Sequence, residues 1–134
     1  ELGVTPMVKM INIVAEGVAP EVMGLGPAVA IPKALKLANM KYEDIDYWEI
    51  NEAFAAQFLG VGRKLKEDCG IEIDMSRTNL HGSGIALGHP VGCTALRIIV
   101  TMIYELQRQN KTLGGASLCV GTGPALASLW TRDI

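Results

Sequence analysis

The chain has 134 residues, enough for one domain with a core of its own, and its 49% apolar and 19% charged residues are a globular rather than a disordered balance. A net charge of −2 gives no electrostatic footprint for nucleic acid, and 5% aromatic content offers few platforms for stacked bases. No apolar run approaches a membrane span and no signal-peptide pattern is expected. Glu1 rather than Met at the start leads us to expect a processed or truncated segment. The three cysteines, Cys69, Cys93 and Cys119, are odd in number and irregular in spacing, which predicts reduced thiols in a cytoplasmic setting rather than a disulfide framework or a CxxC zinc site.

In chain order, VKMINIVA (8–15) is rich in β-branched and apolar residues and predicts a buried strand. Gly and Pro make 16–27 a loop. Residues 28–39 carry apolar positions at 31, 34, 35 and 38, a helical period with Pro32 early and Asn39 at its C-terminal end. YWEI (47–50) predicts a short strand. Asn51 suits the N-cap of the next helix, whose face is marked by Phe54, Phe58, Val61 and Leu65. Residues 68–77 read as a loop and Thr78-Asn79-Leu80 as a short strand. A glycine-rich stretch then holds both histidines, His81 and His89. Val91, Ala95, Ile98, Ile99, Met102, Ile103 and Leu106 form a helical stripe with Pro90 in its first turn. Gly114 and Gly115 end the connection to two strands, ASLCVG and LASLWTR, joined by TGPA. Alternation of this kind predicts a single α/β domain, 1–134, with helices packed on a mixed sheet. The stripe after Pro90 is long enough to predict a bare apolar face and self-association through it.

Three residues share a placement that matters for chemistry. Asn51 follows a strand and precedes a helix; His89 follows a glycine loop and precedes a helix; Cys119 closes a strand before a Gly-Thr-Gly turn. Ligands of open α/β sheets collect at the carboxyl ends of strands, where helix N-termini offer free amides. A carboxamide, an imidazole and a thiol can therefore converge on one pocket. Each also has a structural role open to it: a cap, a loop histidine, a small core residue. Cys93 stands four residues after His89, too few ligands for a metal. His81-Gly82-Ser83-Gly84 is a faint match to an oxyanion loop, without the G-x-S-x-G turn that would accompany it.

NEAFA (51–55), GIALGHPVG (84–92) and CVGTG (119–123) resemble, in order and spacing, the three C-terminal motifs of the thiolases. Upstream, VAPEVMGLGPAVAIPKAL is similar to that family's MG-G-P loop and the helix after it, so the resemblance covers nearly the whole chain. It implies a βαβαβαββ domain with a five-stranded mixed sheet. It also implies an acetyl-CoA C-acetyltransferase that condenses acyl-CoA thioesters or cleaves 3-ketoacyl-CoA by thiolysis. By the same resemblance His89 activates a nucleophilic cysteine and helps stabilise a thioester oxyanion. Asn51 holds a water that completes that oxyanion hole. Cys119 moves protons to and from the α-carbon or leaving thiol, and the Gly121 amide belongs to a second oxyanion hole. Met23 and Phe54 line the pantetheine channel. Coenzyme A enters as a thioester substrate, with no tightly bound cofactor and no metal.

None of the three cysteines matches the family's acylated nucleophile, which belongs to a first domain. The resemblance therefore makes this chain one half of an enzyme, inert by itself, with an absent N-terminal domain and a further copy of the protein as partners. Neither nucleic acid nor membrane is implied. His81-Gly82-Ser83 stands where the family commonly has NGG, and Gly121-Thr122-Gly123-Pro124 where it has GGG. The alternatives are a related condensing enzyme with another acyl donor, and a non-catalytic assembly module that keeps the fold.

Overall fold

Strand β1 (Lys9–Gly17) lies at one edge of a sheet and pairs antiparallel with β4 (Pro124–Thr131). Strand β4 pairs antiparallel with β3 (Leu113–Cys119), which runs parallel to β2 (Tyr47–Ile50). The order is β1-β4-β3-β2. The computed structural model describes residues 2–134.

This sheet has four strands among the described residues, where five were expected. Thr78 makes one parallel bridge with Trp48, and no strand forms over 78–80. The cause is local. Asn79 has a left-handed backbone (φ 52°), and the Gly82 N–H donates to its carbonyl, so the chain turns away from β2. The Asn79 side chain continues the ladder instead. Its Oδ1 accepts from Ile50 N–H at 2.9 Å, and its Nδ2 donates to Ile50 O at 2.7 Å.

Side chains alternate across β2, as the pleat requires. Trp48 and Ile50 join the core under helix α1 (Pro27–Ala38); Tyr47 joins the core under helix α4 (Thr94–Arg108). On the first face Ala30, Ile31, Ala34 and Leu35 of α1 meet Val14, Ala125, Ala127 and Leu129, and helix α2 (Ala55–Cys69) adds Val61 and Leu65. Asn39 ends α1 in the left-handed conformation, as its position suggested. Gly114 and Gly115 lie inside β3 rather than before it. A Cβ at 115 would stand 2.3 Å from the Trp48 ring, and one at 114 would stand 2.5 Å from Met102 Sδ. Glycine here lets both layers sit close to the backbone.

The helix after the glycine-rich stretch begins at Thr94, so Pro90 lies in the preceding loop rather than in the first turn. Its stripe of Ile98, Met102 and Leu106 is fully buried against β2 and β3, with Ile99 and Ile103 partly buried beside it. Each buried aliphatic side chain contributes about 1.5–3 kcal/mol. The expectation that this stripe is a bare dimerisation face is therefore wrong: the domain's own sheet covers it. The apolar residues left outside are Leu96, Val100 and Tyr104, one turn apart on the opposite face.

Candidate active site

Because β2 and β3 are parallel, their carboxyl ends share one edge of the sheet. Asn51 follows β2, and its N–H donates to Ser117 O at 2.9 Å, two residues before Cys119 ends β3. Asn51 does not cap α2. That helix begins at Ala55, and extended Phe54 precedes it. Gln57 reaches back instead: its Oε1 accepts from Ala53 N–H, and its Nε2 donates to Gly24 O. Asn51 is thereby freed from a structural task. It is 1% exposed, yet neither Oδ1 nor Nδ2 has a hydrogen-bond partner among the described residues. A buried amide without a partner costs about 1–3 kcal/mol, which a hydrogen-bonding group brought to this position would offset.

Helix α3 (Ser83–Leu87), not foreseen, presses its backbone onto this residue. A Cβ at Gly84 would stand 2.6 Å from Glu52 O and 2.8 Å from Asn51 Oδ1. Asn79 Nδ2 also donates to Glu52 Oε1 at 3.0 Å, which holds the start of the same loop.

Beyond Cys119 the chain turns through Gly121, Thr122 and Gly123, all at positive φ. Such a conformation is unusual for a β-branched residue. The Thr122 N–H donates to Met23 Sδ at 3.2 Å, and its hydroxyl donates to Gly121 O at 2.8 Å. The turn thus rests against the 3₁₀ segment Pro20–Leu25. The Gly121 N–H has no hydrogen-bond partner among the described residues.

Between these pieces lies a cavity of about 360 Å³ with a mainly apolar wall. Its lining includes His89, Cys119, Gly121, Met23 and Phe54, together with Gln57, Thr94 and Leu118. Five of the six expected site residues therefore meet around one space. Asn51 stands at the same sheet edge without lining it. Phe54 is 72% exposed, so it is a wall of the opening and not part of the α2 core face as its spacing had suggested. His89 Nδ1 lies 2.7 Å from the hydroxyl of Thr94.

The other sequence candidates lie elsewhere. His81 Nε2 lies 2.7 Å from Glu105 Oε2. Cys93 is exposed and precedes α4 rather than sharing its face with His89, and exposed Cys69 is the last residue of α2, not a loop residue. Gln57 and Thr94 were not anticipated. A hydroxyl five residues after an imidazole, at a helix start, is the signal that could have found Thr94.

A family model described as "Thiolase, C-terminal domain" matches residues 4–132. The 3-ketoacyl-CoA thiolase of Hahella chejuensis is 45% identical over 131 residues, which are 98% of this chain and 33% of that protein. Among solved structures, an acetyl-CoA acetyltransferase from Syntrophomonas wolfei superposes with a TM-score of 0.97 at 68% identity, over 99% of this chain and 34% of that one. A human mitochondrial 3-ketoacyl-CoA thiolase in complex with CoA gives a TM-score of 0.89 at 38% identity, over 97% and 32%. The chain spans about a third of the length of these relatives.

Proposed function

Since this chain belongs to the thiolase family, matching its C-terminal domain, we propose that it is the C-terminal catalytic half of an acyltransferase. That enzyme condenses acyl-CoA thioesters or cleaves 3-ketoacyl-CoA by thiolysis. The observation that carries the reading is the meeting of His89, Cys119 and the unpartnered Gly121 amide around one apolar cavity. A cavity of this volume suits the narrow pantetheine arm of a CoA thioester, with Met23 and Phe54 as its walls.

In thiolysis a cysteine thiolate of the first domain, deprotonated by His89, adds to the keto carbon of 3-ketoacyl-CoA. The bond between that carbon and the α-carbon then breaks. The electron pair leaves as the enolate of acetyl-CoA, and Cys119 supplies the proton that completes it. The thiol of a second CoA gives its proton to Cys119 and takes the acyl group, and the released cysteine thiolate recovers its proton from His89. Negative charge develops on two carbonyl oxygens, so two sets of donors are needed. The Gly121 amide serves one; His89, with a water held by Asn51, serves the other. The buried, unpartnered Asn51 carboxamide supports that role.

The partners of this reading are a first domain that carries the nucleophile and a further copy of the protein. Three cysteines, none in a disulfide, support a cytoplasmic setting. Among the described residues no helix is long and apolar enough to cross a membrane.

Thiolysis of acetoacetyl-CoA tests the proposal. We expect turnover by the protein joined to its first domain, a loss of about 10²–10⁴-fold in kcat for Cys119→Ala, and none by residues 1–134 alone. Turnover by residues 1–134 alone, through an acetyl group carried on Cys119, would contradict the division of labour. An inactive two-domain protein would contradict the reaction itself.

A further inference from the structure

An imidazole that is to take a proton from a thiol must present an unprotonated ring nitrogen. Which nitrogen that is depends on the hydrogen bond made by the other. His89 Nδ1 lies 2.7 Å from Thr94 Oγ1, and Nε2 has no hydrogen-bond partner among the described residues. Thr94 Oγ1 in turn lies 3.0 Å from Pro90 O. A carbonyl oxygen cannot donate, so two oxygens at this distance need the threonine's own proton between them. A hydroxyl has only one proton. With it committed to Pro90 O, Thr94 faces His89 as an acceptor, and Nδ1 must be the protonated nitrogen.

The parts of this relay are well fixed. Thr94 is 2% exposed and is the first residue of α4. Pro90 O also accepts the Cys93 N–H at 2.9 Å, which closes the turn over residues 90–93. The hydroxyl therefore occupies one place, set by a helix start on one side and a closed turn on the other.

We infer that Thr94 is a positioning residue that holds His89 in the Nδ1–H tautomer, leaving Nε2 as the proton acceptor at the cavity. Its value to catalysis rests on the thiolase reading above; the tautomer itself does not. An imidazole without such an acceptor prefers the Nε2–H form, which has no lone pair on that nitrogen. Part of the protein would then be in the wrong state for taking a proton. Serine keeps the acceptor; valine keeps the shape and removes it.

The test is long-range 1H–15N correlation NMR of the full chain labelled at histidine, with His89→Asn to assign the ring signals. We expect a pyrrole-type Nδ1 and a pyridine-type Nε2 in the unsubstituted protein and in Thr94→Ser. Thr94→Val should move most of the population to the other tautomer, and Thr94→Ala should repeat this if valine disturbs folding. In the protein joined to its first domain, kcat should fall about tenfold to a hundredfold in Thr94→Val and recover in Thr94→Ser, with KM little changed. An Nε2–H tautomer in the unsubstituted protein, or a tautomer indifferent to both Val and Ala, overturns the inference whether or not the enzyme turns over. An unchanged tautomer pattern in an inactive two-domain protein would count against the thiolase reading alone.

Discussion

Single residues of this domain are held by contacts that can be tested one at a time. Glu105 of α4 is 1% exposed and takes hydrogen bonds from Arg108 and Gln109, with His81 beside it. The Arg108 guanidinium, aided by Gln109 and His81 against the cost of burial, holds its carboxyl at about 2. A carboxylate with a lowered folded-state value stabilises the fold above its unfolded value of about 4.3 and loses that contribution as pH falls toward 2. Chemical denaturation from pH 7 to 2 should show Glu105→Gln less stable at neutral pH, with the gap to the unsubstituted protein closing below about pH 4. Gly84→Ala belongs at this scale too. Its new Cβ must displace Glu52 O and Asn51 Oδ1. It should cost about 1–3 kcal/mol, the range of overpacked sites, and lower kcat through the moved carboxamide. Thermal melts and thiolysis kinetics of the two-domain protein check both; unchanged kinetics would detach Asn51 from the chemistry.

At the scale of elements, Asn79 does the work of a missing strand. Replacing it with Ala removes an acceptor for Ile50 N–H and donors to Ile50 O and Glu52. The buried Ile50 N–H would be left unsatisfied, at about 1–3 kcal/mol, while Ile50 O would keep the Ser83 hydroxyl at 3.3 Å. Hydrogen exchange should show early loss of protection at Ile50 in Asn79→Ala, and unchanged protection there would refute the ladder role. Asn79 also shows what composition and periodicity leave unread. α1, β2 and the two C-terminal strands are legible from apolar patterning, because burial sets that pattern directly; β1 forms a strand as expected but not a buried one, since at the sheet edge only Val14 is buried. A strand replaced by a side chain has no such pattern, and neither does α3, a single short helix in a glycine-rich loop. For the same reason Asn51 looks like a cap: its type suits one, but Gln57 takes the task from a distance. That His89 and Cys119 meet at one cavity is legible, because a helix start and the end of a parallel strand both point to the same sheet edge. Thr94 is not, since its meaning depends on where the Pro90 carbonyl points.

For the molecule as a whole, α4 has two apolar faces and one of them has no cover. Leu96, Val100 and Tyr104 are 63%, 41% and 60% exposed. A line of exposed apolar side chains along one helix face is the kind of surface a partner domain covers. Leu96→Lys with Val100→Lys should leave the domain's own stability within about 1 kcal/mol, as surface changes do, yet prevent association with the first domain. Sedimentation of the mixed halves is the measurement. Normal association by the double variant would place the contact elsewhere.

Strand β4 is the last of the four in chain order, yet it lies between β1 and β3. Its pairing joins Lys9 to Thr131 and Gly17 to Pro124. β1 leaves the ribosome before the other three strands but has nothing to pair with until more than a hundred further residues have followed, a wait of seconds at translation rates of about 5–20 residues per second. Contacts this distant in sequence slow folding, and the waiting edge strand is open to other chains in the meantime. The domain should therefore acquire its structure late and all at once. Nascent chains stalled before Pro124 should remain sensitive to protease across residues 9–123, whereas chains whose residues 124–131 have cleared the ribosome should become resistant across the same span in a single step. Resistance gained gradually, starting from residues 9–50, would show that β1 finds shelter without β4.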